Sequence, residues 1–431
     1  MPHEHVVITG GCGFLGSAIV DAFLKAHPQY DYTILDIRPP KQGAAANREL
    51  NFVRVDVRDA AAVREAVRKT APTVIVHSAG IVPGGSKRYS KSKAVKTEVF
   101  DVNVGGTRNV LDAARDVESV RAFVYTSSLT VVGDDLDTDY CNVDESVQTG
   151  RAELFYGQSK AAAERLVLSP ATPHDFLACV LRPSVIFGPG DPSLLPPIAA
   201  LAPSTPPRSP SSFLPSLVPP IPLSVVALGP CTNLYDFTYV TNAADAHVLA
   251  VRNLLQASSR DAESAPSPPS HSAAGRAFFI TNDAPLPFRD FCRAVWAELG
   301  HVPPAEIRVP ATMARAMGFS ADAVSALTGA EFALSAGAVR DALGTKYASG
   351  KAAREVLGYV PRVGMKEGVR RAVEDYKQRM QQQKENGEAK KISMTCEGSD
   401  TTQPAGETTK YFGAADEPAT YYVCLREGLQ R

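Results

Sequence analysis

The stretch that decides the fold is HVVITGGCGFLG, residues 5–16. Its first five residues form a β-branched run typical of a buried strand, and the apolar residues of Phe14 to Ala26 recur at helical spacing. Between them, Gly10 allows a tight turn, Gly13 lets the backbone approach a pyrophosphate, and Gly16 lets the helix pack closely on the strand. The phosphates would bind free N–H groups at the helix N-terminus. Because a strand and a helix flank the glycines, a dinucleotide site is favoured over a glycine turn without a ligand.

An acidic residue follows the second predicted strand, Tyr32 to Leu35. Asp36 lies where this fingerprint places a carboxylate on the adenosine ribose diol. A carboxylate at that position repels a 2′-phosphate, so NAD is the predicted cofactor. Arg38 follows two positions later and can pair with a 2′-phosphate, so NADP stays open as the alternative.

Further cofactor contacts are expected after the next two strands, Phe52 to Val55 and Val74 to Val76. Asp56 and Val57, which follow the first of these strands, are expected at the adenine. Ser78, Ala79 and Gly80, which follow the second, are expected beside the cofactor. His77 is interpreted as a packed residue at a strand end rather than as a catalytic base or a metal ligand.

A second motif, Tyr156-Gly-Gln-Ser-Lys160, carries the chemistry. Tyr156 and Lys160 are one helical turn apart, so both side chains lie on the same face of a helix. A phenol with a pKa of about 10 acts as a base at neutral pH only if a cation lowers that pKa. Lys160 is predicted to supply the cation and to bind the ribose hydroxyls. Upstream, a strand from Ala122 delivers Ser127 and Ser128 to its C-terminal end, where a hydroxyl can polarise the substrate oxygen.

Strands and helices alternate from Val6 to about Arg182, which predicts an α/β fold with a doubly wound parallel sheet, a Rossmann fold. The cofactor part is expected mainly in residues 1–185, and a smaller substrate lobe in parts of 186–380. Helices are predicted over Phe288 to Leu299, Gly350 to Leu357 and Met365 to Gln382. The segment 381–431, rich in Gln, Lys, Glu, Gly and Thr, is predicted to be a disordered tail.

Composition supports a large globular enzyme. With 431 residues and 44% hydrophobic content the chain can bury a full core, and a net charge of -1 gives no reason to invoke nucleic acid. Seven cysteines without a C-x-x-C motif indicate reduced thiols in a cytosolic-facing protein, with no metal site. The first strand begins too close to Met1 for a signal peptide, and no stretch of about 18 apolar residues predicts a membrane span. Pro310 to Ala336 is apolar at helical spacing and is open to three interpretations: pocket lining, lipid contact or a core helix pair.

Six segments of the chain resemble the extended short-chain dehydrogenase/reductase superfamily and, within it, the 3β-hydroxysteroid dehydrogenase family. They are residues 103–107, 124–128, 181–191, 236–247, 278–283 and 357–364. The resemblance covers roughly residues 5–380 and implies Ser128, Tyr156 and Lys160 as the catalytic triad, with Asn103 supporting Lys160 through a bound water. The choice of Ser128 over Ser127 is a close one. The resemblance also implies that backbone groups near Pro183 and Val185 hold the nicotinamide. The full set of predicted cofactor contacts is Gly10, Gly13, Phe14, Leu15, Gly16, Asp36, Asp56, Val57, Ser78, Ala79, Gly80, Tyr156, Lys160, Pro183 and Val185.

The activity implied by this resemblance is oxidation of a sterol or steroid 3β-hydroxyl with NAD. Where the substrate carries a 4α-carboxylate, the ketone product is a β-keto acid that can lose carbon dioxide. The resemblance also implies a homodimer formed through helices at Val95 to Ala114 and Tyr156 to Leu168, and a peripheral location at the endoplasmic reticulum. Two alternatives stay open: a dehydrogenase of the same fold acting on another secondary alcohol, and a non-catalytic regulator that binds NAD.

Three segments depart from the family. Pro83 to Thr97 is basic, and it is interpreted as solvated surface or as a contact for a substrate carboxylate; its cations are Lys87, Arg88, Lys91, Lys93 and Lys96. Two insertions rich in proline and serine, residues 203–224 and 258–272, fall in the half expected to bind substrate. Transfer of the cofactor from the family is therefore better founded than transfer of the sterol.

Overall fold

The computed structural model describes residues 3–40, 50–169, 176–202, 223–260, 272–328 and 334–397. Most of the two insertions and residues 398–431 of the tail lie outside these ranges. The chain divides into two units, Met1–Arg379 and Met380–Arg431.

The strands alternate with helices through the first part of the chain. The strands are β1 (His5–Thr9), β2 (Asp31–Asp36), β3 (Asn51–Arg54), β4 (Val74–His77), β5 (Ala122–Thr126), β6 (Tyr140–Val143), β7 (Leu177–Pro183), β8 (Val185–Phe187), β9 (Val226–Leu228), β10 (Leu234–Tyr235), β11 (Phe237–Tyr239), β12 (Ala277–Ile280), β13 (Leu286–Pro287), β14 (Ile307–Val309) and β15 (Lys346–Ala348). The α-helices are α1 (Phe14–Ala26), α2 (Ala60–Thr70), α3 (Lys93–Phe100), α4 (Gly106–Arg115), α5 (Thr130–Gly133), α6 (Phe155–Val167), α7 (Leu195–Leu201), α8 (Val240–Arg260), α9 (Phe288–Glu298), α10 (Ala311–Thr328), α11 (Ala336–Leu343) and α12 (Met365–Glu397).

A parallel sheet of seven strands, in the order β12-β7-β5-β4-β1-β2-β3, is the centre of the first unit. Successive side chains of a strand point to opposite faces, so the apolar run of β1 serves both faces of the sheet. Val6 and Ile8 pack with α1 and α8, whereas Val7 packs with α2 and α4. Helices therefore cover both faces, and the predicted doubly wound α/β fold is confirmed.

A smaller lobe, in the part of the chain where the substrate is predicted to bind, is assembled from separated pieces. β12 belongs to the central sheet, but β13, β10, β15 and β6 form a separate four-stranded sheet. Aromatic side chains fill the core of the lobe, where the rings of Phe237 and Phe291 stack with centroids 4.0 Å apart. The sheet of the lobe includes β6, which lies within the first 185 residues, so the lobe is not confined to residues 186–380.

Three helices differ from their predictions. The predicted helix Val95 to Ala114 is interrupted by a π-helical turn over Asp101–Gly105, which separates α3 from α4. The helix predicted near Gly350 to Leu357 is mainly a second π-helical turn, Ala353–Leu357. The helix α12 runs to Glu397, so residues 381–397 are helical where disorder is predicted. The Gln, Lys and Glu of this stretch, interpreted as signs of disorder, are also good helix formers.

The helix α10 is apolar but largely exposed. Only Ala314 and Gly318 of this helix are buried, and a Cβ at Gly318 would lie 3.0 Å from Ala336 Cα at the start of α11. Its large apolar side chains face outward, with Phe319 72% and Leu327 87% exposed. The interpretation of α10 as a core helix is therefore wrong. None of the described helices combines the length and the apolar content needed to cross a bilayer.

Candidate active site

The glycine loop between β1 and α1 is closed by contacts that leave no room for side chains. Gly10 has a φ of +70°, and a Cβ at this residue would lie 2.7 Å from Ala79 Cα. A Cβ at Gly16 would lie 2.0 Å from the Gly10 carbonyl oxygen. Gly13 precedes α1, and no side chain caps the helix N-terminus. The first turn of α1 also carries no acidic residue, so its N–H groups suit the phosphates of a dinucleotide.

The carboxylate of Asp36 lies against this loop. Its Oδ2 atom accepts a hydrogen bond from the Cys12 N–H at 3.0 Å, and its Oδ1 atom accepts one from the Arg38 N–H at 3.1 Å. The carboxylate is thus fixed at the end of β2, where the sequence predicts the ribose diol. Arg38 contacts Asp36 through its backbone in this pair, and its side chain is exposed.

The side chain of Tyr156 is buried near the start of α6. Burial raises the pKa of its phenol to about 12, whereas a hydrogen bond with Ser128 and the charge of Arg88 both lower it. The next residue, Gly157, fixes the position of this turn because its N–H donates to Asp134 Oδ2 at 2.9 Å. A Cβ at Gly157 would lie 2.4 Å from the Thr130 carbonyl oxygen. The turn of α6 that carries Tyr156 therefore packs backbone to backbone on α5.

Lys160 lies one turn further along α6 and is also buried. Its Nζ atom donates to the Thr126 carbonyl oxygen at 2.8 Å and lies 4.9 Å from the centre of the Tyr125 ring. Burial lowers the pKa of Lys160 to about 7, and the charge of Glu164 opposes this shift. The sequence predicts that Lys160 lowers the pKa of Tyr156, but the cation that has this effect here is Arg88.

The arrangement of a glycine loop, a ribose carboxylate and a buried Tyr-Lys pair can be compared with known proteins. The model of the 3-beta hydroxysteroid dehydrogenase/isomerase family matches residues 7–206 and 221–311. The chain belongs to this family. The predicted resemblance is thereby confirmed, and with it an oxidoreductase scaffold that uses a nicotinamide cofactor.

Relatives in the 3-beta hydroxysteroid dehydrogenase/isomerase family cover nearly the whole chain. Sterol-4-alpha-carboxylate 3-dehydrogenase, decarboxylating, of Saccharomyces cerevisiae is 32% identical over 378 residues, which are 86% of this chain and 97% of the yeast protein. The mouse protein of that name is 29% identical over 375 residues, 86% of this chain and 90% of its own length. UDP-glucose-4-epimerase of Stenotrophomonas maltophila, crystallised with NAD, has a TM-score of 0.62 at 20% identity, covering 88% of this chain and 99% of its own. The epimerase shows the fold alone.

The two candidate serines of this family member differ in their hydrogen bonds. Ser127 donates from Oγ to Glu164 Oε2 at 2.9 Å and is buried. Ser128 accepts from the Thr130 N–H at 3.2 Å and bonds to Tyr156. The Ser128 hydroxyl is thus beside the phenol, whereas the Ser127 hydroxyl is committed to Glu164. This geometry favours the choice of Ser128 over Ser127.

Asn103 lies in the π-helical turn that precedes α4. Its Nδ2 atom donates to the Ile81 carbonyl oxygen at 3.1 Å and to Ser159 Oγ at 3.0 Å. Its Oδ1 atom accepts from the Ile81 N–H at 2.8 Å. A Cβ at Gly80 would lie 3.1 Å from Asn103 Oδ1 and 3.3 Å from Lys160 Nζ, so both groups face the same glycine. The water-mediated support of Lys160 by Asn103 stays a prediction.

The remaining predicted cofactor residues are spread along the carboxyl ends of the strands. Ser78 donates from Oγ to the Thr9 carbonyl oxygen at 2.8 Å, which joins the ends of β4 and β1. The Asp56 carboxylate is paired with Arg58, with 2.6 Å between Arg58 Nη2 and Asp56 Oδ2. Phe14 and Leu15 begin α1, and Val57 is buried. The contacts of these residues with a cofactor stay predictions.

The strand end near the predicted nicotinamide contacts lies directly beside the serines. The Pro183 carbonyl oxygen accepts a hydrogen bond from the Leu129 N–H at 2.9 Å, so the end of β7 is bound to the residue that follows Ser128. Val185 begins β8 and is half-buried. The β7 end and the serine segment are therefore held together by backbone contacts.

His77 is a packed residue, as predicted. Its ring is completely buried, with Nδ1 2.7 Å from Thr9 Oγ1 and Nε2 2.9 Å from Thr107 Oγ1. Burial, with a smaller contribution from the charge of Lys160, lowers the pKa of His77 to about 3. Among the described residues, no group of three His, Cys, Asp or Glu side chains could hold a metal ion.

Two buried carboxylates beside this site, Asp134 and Glu164, are not among the residues predicted from the sequence. Of the five cations between Pro83 and Thr97, Arg88 alone is drawn into the protein: its Nη2 atom donates to Asp134 Oδ1 at 2.6 Å. Glu164 forms a buried ion pair with Arg182. The only signal in the sequence for Glu164 is its position four residues after Lys160, which places it on the same helix face.

Proposed function

We propose that this protein oxidises the 3β-hydroxyl of a sterol with NAD, and that a 4α-carboxylate on the same substrate then leaves as carbon dioxide. The observation that carries the proposal is the contact between the buried Tyr156 and the half-buried Ser128 near the carboxyl ends of the strands. The chain that carries this pair aligns over 86% of its length with a decarboxylating sterol dehydrogenase. The glycine loop leaves room for the pyrophosphate of the dinucleotide, and the Asp36 carboxylate can accept hydrogen bonds from its ribose hydroxyls.

The proposed reaction begins with proton transfer to Tyr156. Ser128 donates a hydrogen bond to the substrate oxygen while the Tyr156 phenolate takes the hydroxyl proton. Bound NAD supplies the acceptor for the hydride that leaves C3. The product is a 3-ketone, and a carboxylate on C4 is β to that ketone. Its C–C bond breaks, carbon dioxide leaves, and the electron pair is held as an enolate whose oxygen lies at the hydroxyls of Tyr156 and Ser128.

Different residues of this chain bind the two ends of the cofactor. Gly10, Gly13 and Gly16 leave space for the pyrophosphate at the N-terminus of α1, and Asp36 binds the adenosine ribose. Lys160 binds the nicotinamide ribose when it is protonated. We assign NAD rather than NADP because a 2′-phosphate would meet the fixed carboxylate of Asp36.

The experiment that tests the function compares two substrates that differ only in the carboxyl group. The purified protein receives a 4α-carboxysterol or the matching 3β-hydroxysterol, with NAD or NADP, and reduction is followed by near-ultraviolet absorbance and product mass. We expect NADH and a ketone lighter by carbon dioxide from the acid. Binding of NAD without oxidation of either sterol would reject the sterol and shift the function to another alcohol. Faster reduction of NADP than of NAD would reject the assignment of Asp36.

We also propose that α10 places the protein on the surface of a lipid bilayer. The described outer face of this helix carries exposed Met313, Met317, Phe319, Val324 and Leu327, and the only charged residues of the helix are Arg315 and Asp322. In the proposed arrangement α10 lies along the bilayer surface, and its apolar side chains enter the boundary between headgroups and acyl chains. Sterols dissolve in bilayers, so this position would bring the substrate lobe to its substrate.

The lipid contact is tested by sedimentation of the protein with phosphatidylcholine vesicles. Replacing Phe319 and Leu327 by serine is expected to lower the bound fraction at least about tenfold, because two large apolar side chains no longer leave water. The control is Val360→Ser, which removes an apolar side chain exposed outside α10. Equal vesicle binding by both variants would reject the lipid contact, and so would a change in oligomeric state without any vesicle binding.

The homodimer and the location at the endoplasmic reticulum stay predictions from the family resemblance. The two helical regions expected at the dimer interface are α3 with α4, and α6.

A further inference from the structure

A buried carboxylate lies one helical turn beyond the catalytic lysine. Glu164 is 4% exposed and accepts hydrogen bonds from two directions: Ser127 Oγ at 2.9 Å and Arg182 Nε at 3.1 Å. Arg182 is 5% exposed, and its Nη2 atom also donates to Glu164. Burial of charges is costly, so an ion pair at this depth needs either excellent geometry or a function.

The surroundings of Lys160 supply few groups that favour its protonated form. The Thr126 carbonyl oxygen and the Tyr125 ring face its Nζ atom, and Asn103 and Gly80 lie on the cofactor side. The titratable groups of the packed elements are Tyr156 on α6, Tyr125 on β5, His77 on β4 and Arg182 on β7. Of the described groups, Glu164 is the carboxylate that acts on Lys160.

We propose that Glu164 is a positioning residue that keeps Lys160 protonated in the working pH range. Arg182 and Ser127 in turn hold the Glu164 carboxylate in place by hydrogen bonds. This inference rests on the proposed role of Lys160, which binds the ribose hydroxyls as an ammonium ion. Glu164 follows Lys160 by one turn on the same face of α6, and two consecutive residues bind the pair: the Thr126 carbonyl oxygen accepts from Lys160, and Ser127 donates to Glu164. Burial lowers the pKa of Lys160 to about 7, and the charge of Glu164 opposes this shift.

The test replaces Glu164 by glutamine, which keeps the shape of the side chain and removes its charge. Lys160 then loses its proton at lower pH, because the anion that favours the ammonium form is gone. We expect the titration of Lys160 to move down by about one pH unit. The alkaline fall of kcat/KM for hydroxyl oxidation is expected to move in the same direction. The titration is measured in the cofactor-free protein by NMR of 13Cε-labelled lysine, and the signal is assigned by its loss in Lys160→Met.

Two further variants separate the charge effect from a structural one. Glu164→Gln leaves Arg182 buried without its partner, so it is expected to lower Tm; the double variant Glu164→Gln/Arg182→Met removes the orphaned cation and is expected to recover Tm while the Lys160 titration stays shifted. Glu145→Gln is the matched control, since Glu145 also faces Arg182 but does not act on Lys160. An unchanged Lys160 titration in Glu164→Gln and in the double variant would overturn the proposal.

The two readouts also keep this inference separate from the sterol reaction. If no sterol is oxidised, the NMR titration of the cofactor-free protein still decides whether Glu164 sets the charge of Lys160. If sterols are oxidised but the titration does not move, the role of Glu164 fails while the proposed function stands.

Discussion

Replacing Tyr156 by phenylalanine is expected to lower kcat for hydroxyl oxidation by at least about 10³-fold, within the range that general acid–base catalysis contributes. The substitution removes one oxygen atom from a buried ring and leaves the glycine loop, Asp36 and Lys160 in place. Affinity for NAD, measured by titration calorimetry, is therefore expected to stay unchanged. The loss should appear in kcat rather than in the affinity for substrate, because the phenol acts on the proton that moves.

The control for this variant is Tyr32→Phe, which removes a buried phenol remote from the active site. The Tyr32 hydroxyl donates to the Phe23 and His27 carbonyl oxygens, at 3.0 Å and 2.7 Å. This control is expected to lower stability by about 1 kcal/mol and to keep kcat. If Tyr156→Phe retained more than about a tenth of the wild-type kcat, another group would be the proton acceptor.

The second large effect is expected from Gly16→Ala. The new Cβ would lie 2.0 Å from the Gly10 carbonyl oxygen and 2.7 Å from the Gly10 carbonyl carbon. Both are backbone atoms, so no side-chain rotation can relieve the clash. The first turn of α1 must then move away from the loop that holds the pyrophosphate. We expect NAD affinity to fall at least about 100-fold and Tm to drop by several degrees, the scale of an overpacked core site.

A glycine without such contacts supplies the control. A Cβ at Gly364 meets nothing within 4 Å, so Gly364→Ala is expected to bind NAD like the wild type. Calorimetry with NAD and a thermal unfolding scan measure both variants. Normal NAD affinity in Gly16→Ala would show that this loop does not hold the cofactor.

The parts of the fold and site that the sequence predicts are those encoded by short-range spacing. The strand, the three glycines and the helix α1 follow one another within residues 5–26, and each has a local physical reason. Tyr156 and Lys160 meet because helix periodicity alone places them on one face. The predicted bounds of α1 agree with the structure, and those of α6 agree within one residue at each end.

The polar contacts around Tyr156 and Lys160 could not be predicted from spacing along the sequence. Arg88 reaches Asp134 across 46 residues of sequence, and Glu164 meets Arg182 across 18. No periodicity connects these partners, because loops and separate elements bring them together. The π-helical turn at Asn103 is a further example, since its extra residue leaves no mark in the apolar pattern of the predicted helix.

The packing of α6 on α5 affects how the substrate range of this enzyme can change during evolution. Gly157 leaves no room for a side chain, and its N–H donates to Asp134, so the four-residue helix α5 helps to set the position of the neighbouring Tyr156. Substitutions in residues 130–134 would therefore move Tyr156 through the hydrogen bond of Asp134 to Gly157 and the packing of Gly157 on Thr130. Substrate range in descendants of this chain can shift through that turn while every catalytic residue keeps its identity.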